Sequence, residues 1–250
     1  MEPITASYVK KYVSSWEARH DEWVRDYLAP LVGTSEKTMN GIRPVLKQRL
    51  QTDWRYSLAF FIDRTTYQSR SDLVNLRTAT YLFEKIVSLP PDFSVRNMEQ
   101  LVKTISEEKF NGLASHVRVK TDIERLDYAW RFLVPSEEKN FTAIVLGKVA
   151  SEVELWRFLE QFPYVSRNKT APFYMKFIAW LFDLDLAPIT VDRHVVNALQ
   201  VRDGRAVTDP AGYITRVAKD LMMPATLVET ALYEESWLKA NGTSKGTDIV

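Results

Sequence analysis

The sequence predicts an all-α, multi-helical protein with two lobes. Three observations predict it. Apolar residues recur at three- and four-residue spacing along most of the chain, which is the mark of one buried helix face. No alternating run is long enough to support a sheet of any size. Residues that start helices, Ser, Asp and Pro at the first turn, recur at the heads of the periodic stretches. Short strands near 59–64 or 144–147 stay open as alternatives.

The elements follow in order. Val9, Tyr12, Val13, Trp16, Trp23, Val24, Tyr27 and Leu28 form the first apolar face, and Gly33-Thr34-Ser35 ends it. Helices are predicted near 43–51, 53–62 and 71–88. The last starts after Ser71 as N-cap and stops at Pro90-Pro91. Ser94 caps a helix carrying Met98, Leu101, Val102 and Ile105. Ile123, Leu126, Trp130 and Leu133 mark another, closed by Pro135. Ser151-Glu152-Val153-Glu154 has the spacing of a capping box and opens a helix reaching Phe162. A further helix follows Asn168 or Thr170 and runs to about Phe182, and the next begins near Asp192. Asp209-Pro210 reads as N-cap plus first-turn proline, opening a helix through Leu221. The last runs from Pro224 to about Lys239, and a frayed tail is expected after Asn241.

Composition narrows the class. The 250 residues are 46% apolar and 26% charged, which suits one folded helical domain of two lobes spanning 1–250. No apolar run reaches membrane-spanning length. The first residues lack the pattern of a secretory signal, so a cytoplasmic protein is expected. The absence of cysteine excludes disulfides, thiolate metal sites and cysteine nucleophiles. His20, His116 and His194 lie far apart, so neither a metal nor a cofactor is predicted. The net charge of +1 is not that of a protein that grips nucleic acid by bulk electrostatics. Any such grip must be local. Arg167, Lys176, Arg193, Arg202 and Arg205 supply a modest patch, with Asp183, Asp185 and Asp203 interspersed.

The chemistry is concentrated in Phe162-Pro163-Tyr164-Val165-Ser166-Arg167-Asn168-Lys169-Thr170-Ala171 and Pro188-Ile189-Thr190-Val191-Asp192-Arg193-His194-Val195. These runs place a lysine at the mouth of one predicted helix and an aspartate at the mouth of the next. An amine nucleophile beside a carboxylate suits attack at a sugar carbon. Each residue alone has a plainer role, as a solvated charge or a helix cap.

Together, the two runs resemble the helix-hairpin-helix DNA glycosylases. The hairpin of that superfamily reads roughly Leu-Pro-Gly-Val-Gly-x-Lys-Thr-Ala and is followed by a helix and a Val-Asp before the next helix. Here the motif covers about residues 152–200. The resemblance is to the 8-oxoguanine branch, through the Pro-Ile-x-Val-Asp run. It implies a two-lobed helix-hairpin-helix DNA glycosylase fold, with Lys169 and Asp192 as the catalytic pair. It implies DNA contacts from Tyr164, Ser166, Arg167, Asn168, Thr170 and Arg193. The chain departs from the pattern in the hairpin. Tyr164 and Ser166 replace its two glycines, and one extra residue, Asn168, precedes the lysine. Glycines there permit left-handed backbone and close approach to a phosphate.

The implied activity is excision of a modified base, first of all 8-oxoguanine, from double-stranded DNA by a monomer. Asp192 would stabilise the positive charge that builds on the sugar. Lys169 would form a Schiff base, opening the way to strand cleavage at the abasic site. The extruded base would enter an aromatic pocket. A rival of the same chemistry is a bacterial defence glycosylase acting on a hypermodified phage base, such as glucosylated hydroxymethylcytosine. A rival of another class is a helical DNA-binding module without catalysis, and a third is a helical scaffold with no nucleic-acid role.

Other features read more plainly. Trp16, Trp23, Trp130 and Trp156 fall at core-face positions, with base stacking open to one or two. Arg64, Arg70 and Arg77 read as a solvated helix surface. Tyr164 either packs on the Phe162 helix or stacks beside a base. Glu229, Glu234, Glu235 and Trp237 read as part of an amphipathic closing helix.

Overall fold

The computed structural model describes residues 3–66, 72–108, 119–148, 151–203 and 207–241. Among them there is no strand, and the chain is all-α. Helix α1 (Ala6–Trp23) continues through a π-helical turn (Val24–Leu28) into α2 (Ala29–Val32). There follow α3 (Met39–Thr52), α4 (Trp54–Thr66), α5 (Asp72–Val87), α6 (Val95–Glu107) and α7 (Val119–Leu133). Then come α8 (Phe141–Leu146), α9 (Glu152–Leu159), α10 (Thr170–Phe182), α11 (Arg193–Asp203), α12 (Pro210–Asp220) and α13 (Ala225–Asn241).

The helix starts are local chemistry. Ser151 Oγ accepts the Glu154 N–H at 3.2 Å, and Asp209 Oδ1 accepts the Gly212 N–H at 2.9 Å. Each bond satisfies a backbone donor that the first turn leaves without a partner. Ser94 does the same for Asn97. Ser71, read as the cap of α5, lies outside the described residues, as do Arg70, His116, Arg205 and the tail from 242.

Both windows left open as strands are helical. Residues 59–64 lie inside α4, and Ile144 to Leu146 end α8. The reason is burial. Ser57 to Thr66 of α4 are buried on every side, so the apolar run has no solvent face to give it a helical period. Asp63 and Arg64 accompany that run as a buried pair.

Buried apolar side chains form two clusters. The larger draws on the end of α1, the π turn and helices up to α10. Its centre is aromatic, with Phe61 stacked on Phe141 at 4.2 Å between ring centres. The smaller joins Val9 of α1 to Val195 and Leu199 of α11, Ile214 of α12, and Val228 and Leu232 of α13. Helix α1 therefore belongs to both. A cleft of about 2610 Å³ opens between α1, α10, the start of α11 and α13.

Candidate functional site

The site is built on the turn between α9 and α10 and on the segment that leads into α11. Phe162 anchors the turn. It is 1% exposed and lies edge-on to Phe61 and Phe141 at 5.1 and 5.3 Å. Burial of such a ring is worth about 1.5–3 kcal/mol, enough to fix where the turn leaves the core. Helix α7 braces the next two residues. Arg125 Nε donates to the Pro163 carbonyl at 3.1 Å, and the Tyr164 hydroxyl donates to Glu124.

Tyr164 has φ of +63°, in the left-handed region. This is the position where the resembled hairpin has its first glycine. An L side chain in that region costs about 1–2 kcal/mol. Ser166 and Thr170 then close the turn. The Ser166 N–H donates to Thr170 Oγ1 at 2.7 Å, and the Thr170 N–H donates to Ser166 Oγ at 3.3 Å. Thr170 is buried, so its hydroxyl serves the turn rather than the surface. Tyr164, Ser166, Arg167 and Asn168 are exposed at the tip, and Arg193 is exposed at the head of α11. Arg167 stacks over Trp156 at 5.2 Å.

One backbone bond joins the two mouths. The Val191 N–H donates to the Asn168 carbonyl at 2.9 Å. Each of those residues immediately precedes one of the pair, so Lys169 and Asp192 stand as neighbours on the cleft wall. Asp192 is 9% exposed, and its Oδ1 accepts the Val195 N–H at 3.0 Å, capping α11. Among the described residues no hydrogen-bond donor reaches its other oxygen. Lys169 occupies the N-cap position of α10 but makes no side-chain capping bond.

Below Lys169 the cleft face of α10 continues with Phe173, Lys176, Phe177 and Trp180, the spacing of one helix stripe. Lys176 Nζ donates to Thr190 Oγ1 at 2.8 Å and pairs with Glu229 of α13. Burial holds the Glu229 carboxyl above the usual carboxylate range, Lys176 opposes this, and Asp192 adds to it.

The facing wall is α1. Trp16 stacks on His20 at 3.7 Å, and Trp23 lies 6.1 Å from Phe177. Burial, helped by the Arg19 guanidinium, pushes His20 down to about 3, so the ring is neutral at ordinary pH. Arg64 is 2% exposed, held against Trp23 and Phe177 at 4.7 and 4.8 Å from their ring centres. It had been expected on a solvated surface. Asp63, bonded in turn by the Tyr27 hydroxyl at 2.6 Å, balances its charge inside the fold.

The closing helix departs from the amphipathic reading. Glu229, Glu234 and Glu235 are buried, and each has a cation. Arg19 pairs with Glu234 at 2.6 Å, and Arg202 with Glu235 at 3.1 Å. Sequence reasoning missed these pairs and the brace from Glu124 and Arg125, because the partners are distant in the chain. Lys176 had one local signal, its place seven residues after Lys169 on the same helix face.

Among the described residues no group of three or more acidic or histidine side chains could hold a metal ion, and no helix is long and apolar enough to cross a membrane. The arrangement brings the backbones of Lys169 and Asp192 to one wall of the cleft, with the aromatic rings of α1 on another. No family model, curated protein or solved structure matches the chain.

Proposed function

We propose that the chain is a DNA N-glycosylase of the helix-hairpin-helix type, acting as a monomer on double-stranded DNA that carries a modified base. The observation that carries this reading is the 2.9 Å bond from Val191 to Asn168, which sets Lys169 beside Asp192 at the mouths of successive helices. The exposed turn before Lys169 would meet the DNA backbone through Tyr164, Ser166, Arg167 and Asn168, with Arg193 beside them. The base would leave the stack and enter the cleft, where Trp16, Trp23 and Phe173 offer stacking faces.

Asp192 would stabilise the charge that develops on the sugar as the base departs. The Lys169 amine would bond to C1′ as the C1′–N bond breaks and the base leaves with that electron pair; ring opening at O4′, which takes up the proton the amine gives up, then yields the Schiff base. The first substrate to try is 8-oxoguanine. The breadth of the cleft favours a second reading of the same chemistry, excision of a base with a bulky substituent, as in defence against phage DNA. Borohydride trapping on a panel of duplexes, each with one modified base, tests both. A covalent adduct that disappears in Lys169→Ala is the expected result. Base release without an adduct makes water the nucleophile and Lys169 a helper. No release from any duplex, with DNA binding kept, would leave a DNA-binding module.

A further inference from the structure

We propose that Arg125 is a positioning residue for the turn before Lys169. Buried and locked by Asp122, it holds the Pro163 carbonyl inward and so turns the Tyr164 N–H outward, as a donor to a DNA phosphate oxygen. The phosphate in this proposal rests on the glycosylase reading, whereas the positioning does not.

The turn type follows by elimination. The Val165 N–H donates to the Phe162 carbonyl at 3.2 Å, which closes a four-residue turn with Pro163 and Tyr164 at its centre. Tyr164, the second central residue, has φ of +63°. Type I needs negative φ there. Types I′ and II′ need positive φ at the first central residue, which proline forbids. The turn is therefore type II. Types I and II differ chiefly in which way the central peptide faces. A proline–glycine pair adopts type II without help, whereas a tyrosine in the second place resists it.

Helix α7 supplies the help. Arg125 Nε donates to the Pro163 carbonyl at 3.1 Å. Its Nη1 donates to Asp122, one turn earlier on α7, also at 3.1 Å, and both side chains are 0% exposed. The guanidinium is planar and rigid, so a carboxylate that fixes one edge aims another. Flipping the peptide to type I would take the Pro163 carbonyl away from a buried charge, and a hydrogen bond to such a group is costly to lose.

The consequence lies at the other edge of the same peptide. In a trans peptide the C=O and the N–H point in opposite directions. With the carbonyl aimed at a fully buried side chain, the Tyr164 N–H faces solvent. Among the described residues nothing accepts it.

The test uses the full chain and an unmodified DNA duplex. Asp122→Leu together with Arg125→Met removes the grip without leaving one buried charge alone. This pair of changes is expected to weaken duplex binding about tenfold, the worth of one hydrogen bond to a charged group. A backbone N–H carries no charge, so the slope of binding against salt should stay as in wild type. In a Tyr164→Gly background the same removal should cost less than about twofold, because glycine holds positive φ without a brace. In the free protein, the short Pro163 Hα to Tyr164 N–H distance of a type II turn gives a strong NOE, which should weaken when the grip is removed. If the double variant does not fold, Arg125→Lys carries the same readouts, since an ammonium lacks the fork that serves both partners.

An unchanged NOE overturns the proposal, because the turn then holds itself. An equal loss of binding in the Tyr164→Gly background, or a changed salt slope, also overturns it, because Arg125 then merely braces the fold. If wild type binds no duplex, the DNA reading falls and the phosphate with it, and the NOE alone decides whether Arg125 sets the peptide.

Discussion

The mouths of α10 and α11 hold the two candidate catalytic residues, yet they are built differently. At α11 the residue with the chemistry is also the cap, since Asp192 accepts the Val195 N–H. At α10 the two jobs are separated. Ser166 and Thr170 close the turn, and Lys169 makes no capping bond. A short carboxylate can cap a helix and still offer its second oxygen to a substrate. A lysine has only donors, so the N–H groups of a helix start repel it and others must do the capping. The difference teaches that truncating the side chain should cost fold and function together at one mouth and function alone at the other.

The largest expected effect sharpens that contrast. Lys169→Ala should abolish the borohydride adduct while unfolding free energy stays within about 0.5 kcal/mol of wild type, since the capping of α10 does not depend on its side chain. A marked fall in stability in denaturant melts would break the contrast.

Next comes Asp192, where two substitutions should divide. Asp192→Asn keeps an oxygen for Val195 and loses the charge, so excision should drop by about 10²–10³-fold with melting hardly changed. Asp192→Ala should lose as much activity and, in addition, about 1 kcal/mol of stability through the missing cap. Equal stability of the two variants would show that the cap bond contributes nothing.

A smaller effect is expected at Tyr164. Its left-handed backbone should make Tyr164→Val less stable than Tyr164→Gly by about 1–2 kcal/mol, since a β-branched residue tolerates positive φ poorly. The opposite order in thermal melts would mean that the contact with Glu124 outweighs the backbone.

A pH-dependent effect belongs to the facing wall. His20 titrates at about 3 in the folded chain, against an ordinary value near 6.5 when unfolded. The unfolded state binds this proton more readily. The contribution to stability is full above about pH 6.5 and is lost as pH falls toward 3. His20→Phe keeps the stacking on Trp16 and removes the titration. Urea melts between pH 6.5 and 4 should therefore show a shallower loss of stability in the variant than in wild type.

Much of the helix order was legible because its signals are local. Ser94, Ser151 and Asp209 announce their helices from within one turn. Lys169 and Asp192 were legible as residues, but their adjacency was not. It depends on a backbone bond between positions 168 and 191, which no periodicity encodes. Helix α4 hid its type because burial on all sides erased the pattern. Lys176 and Glu229 are 53 residues apart, and only packing brings them together. Tyr164 looked like a break with the hairpin. The left-handed backbone falls on Tyr164, a residue type that gives no sequence signal for positive φ.

Helix α1 has a mechanical consequence. Its first turns lie in one cluster and its continuation in the other, so a single rod bridges the two sides of the cleft. The gape is then set by a strut rather than by a hinge loop. Opening it wider means bending that strut. The π turn at Val24–Leu28, where the Ala29 N–H reaches back to the Val24 carbonyl, is the joint at which the helical ladder already departs from its regular rungs.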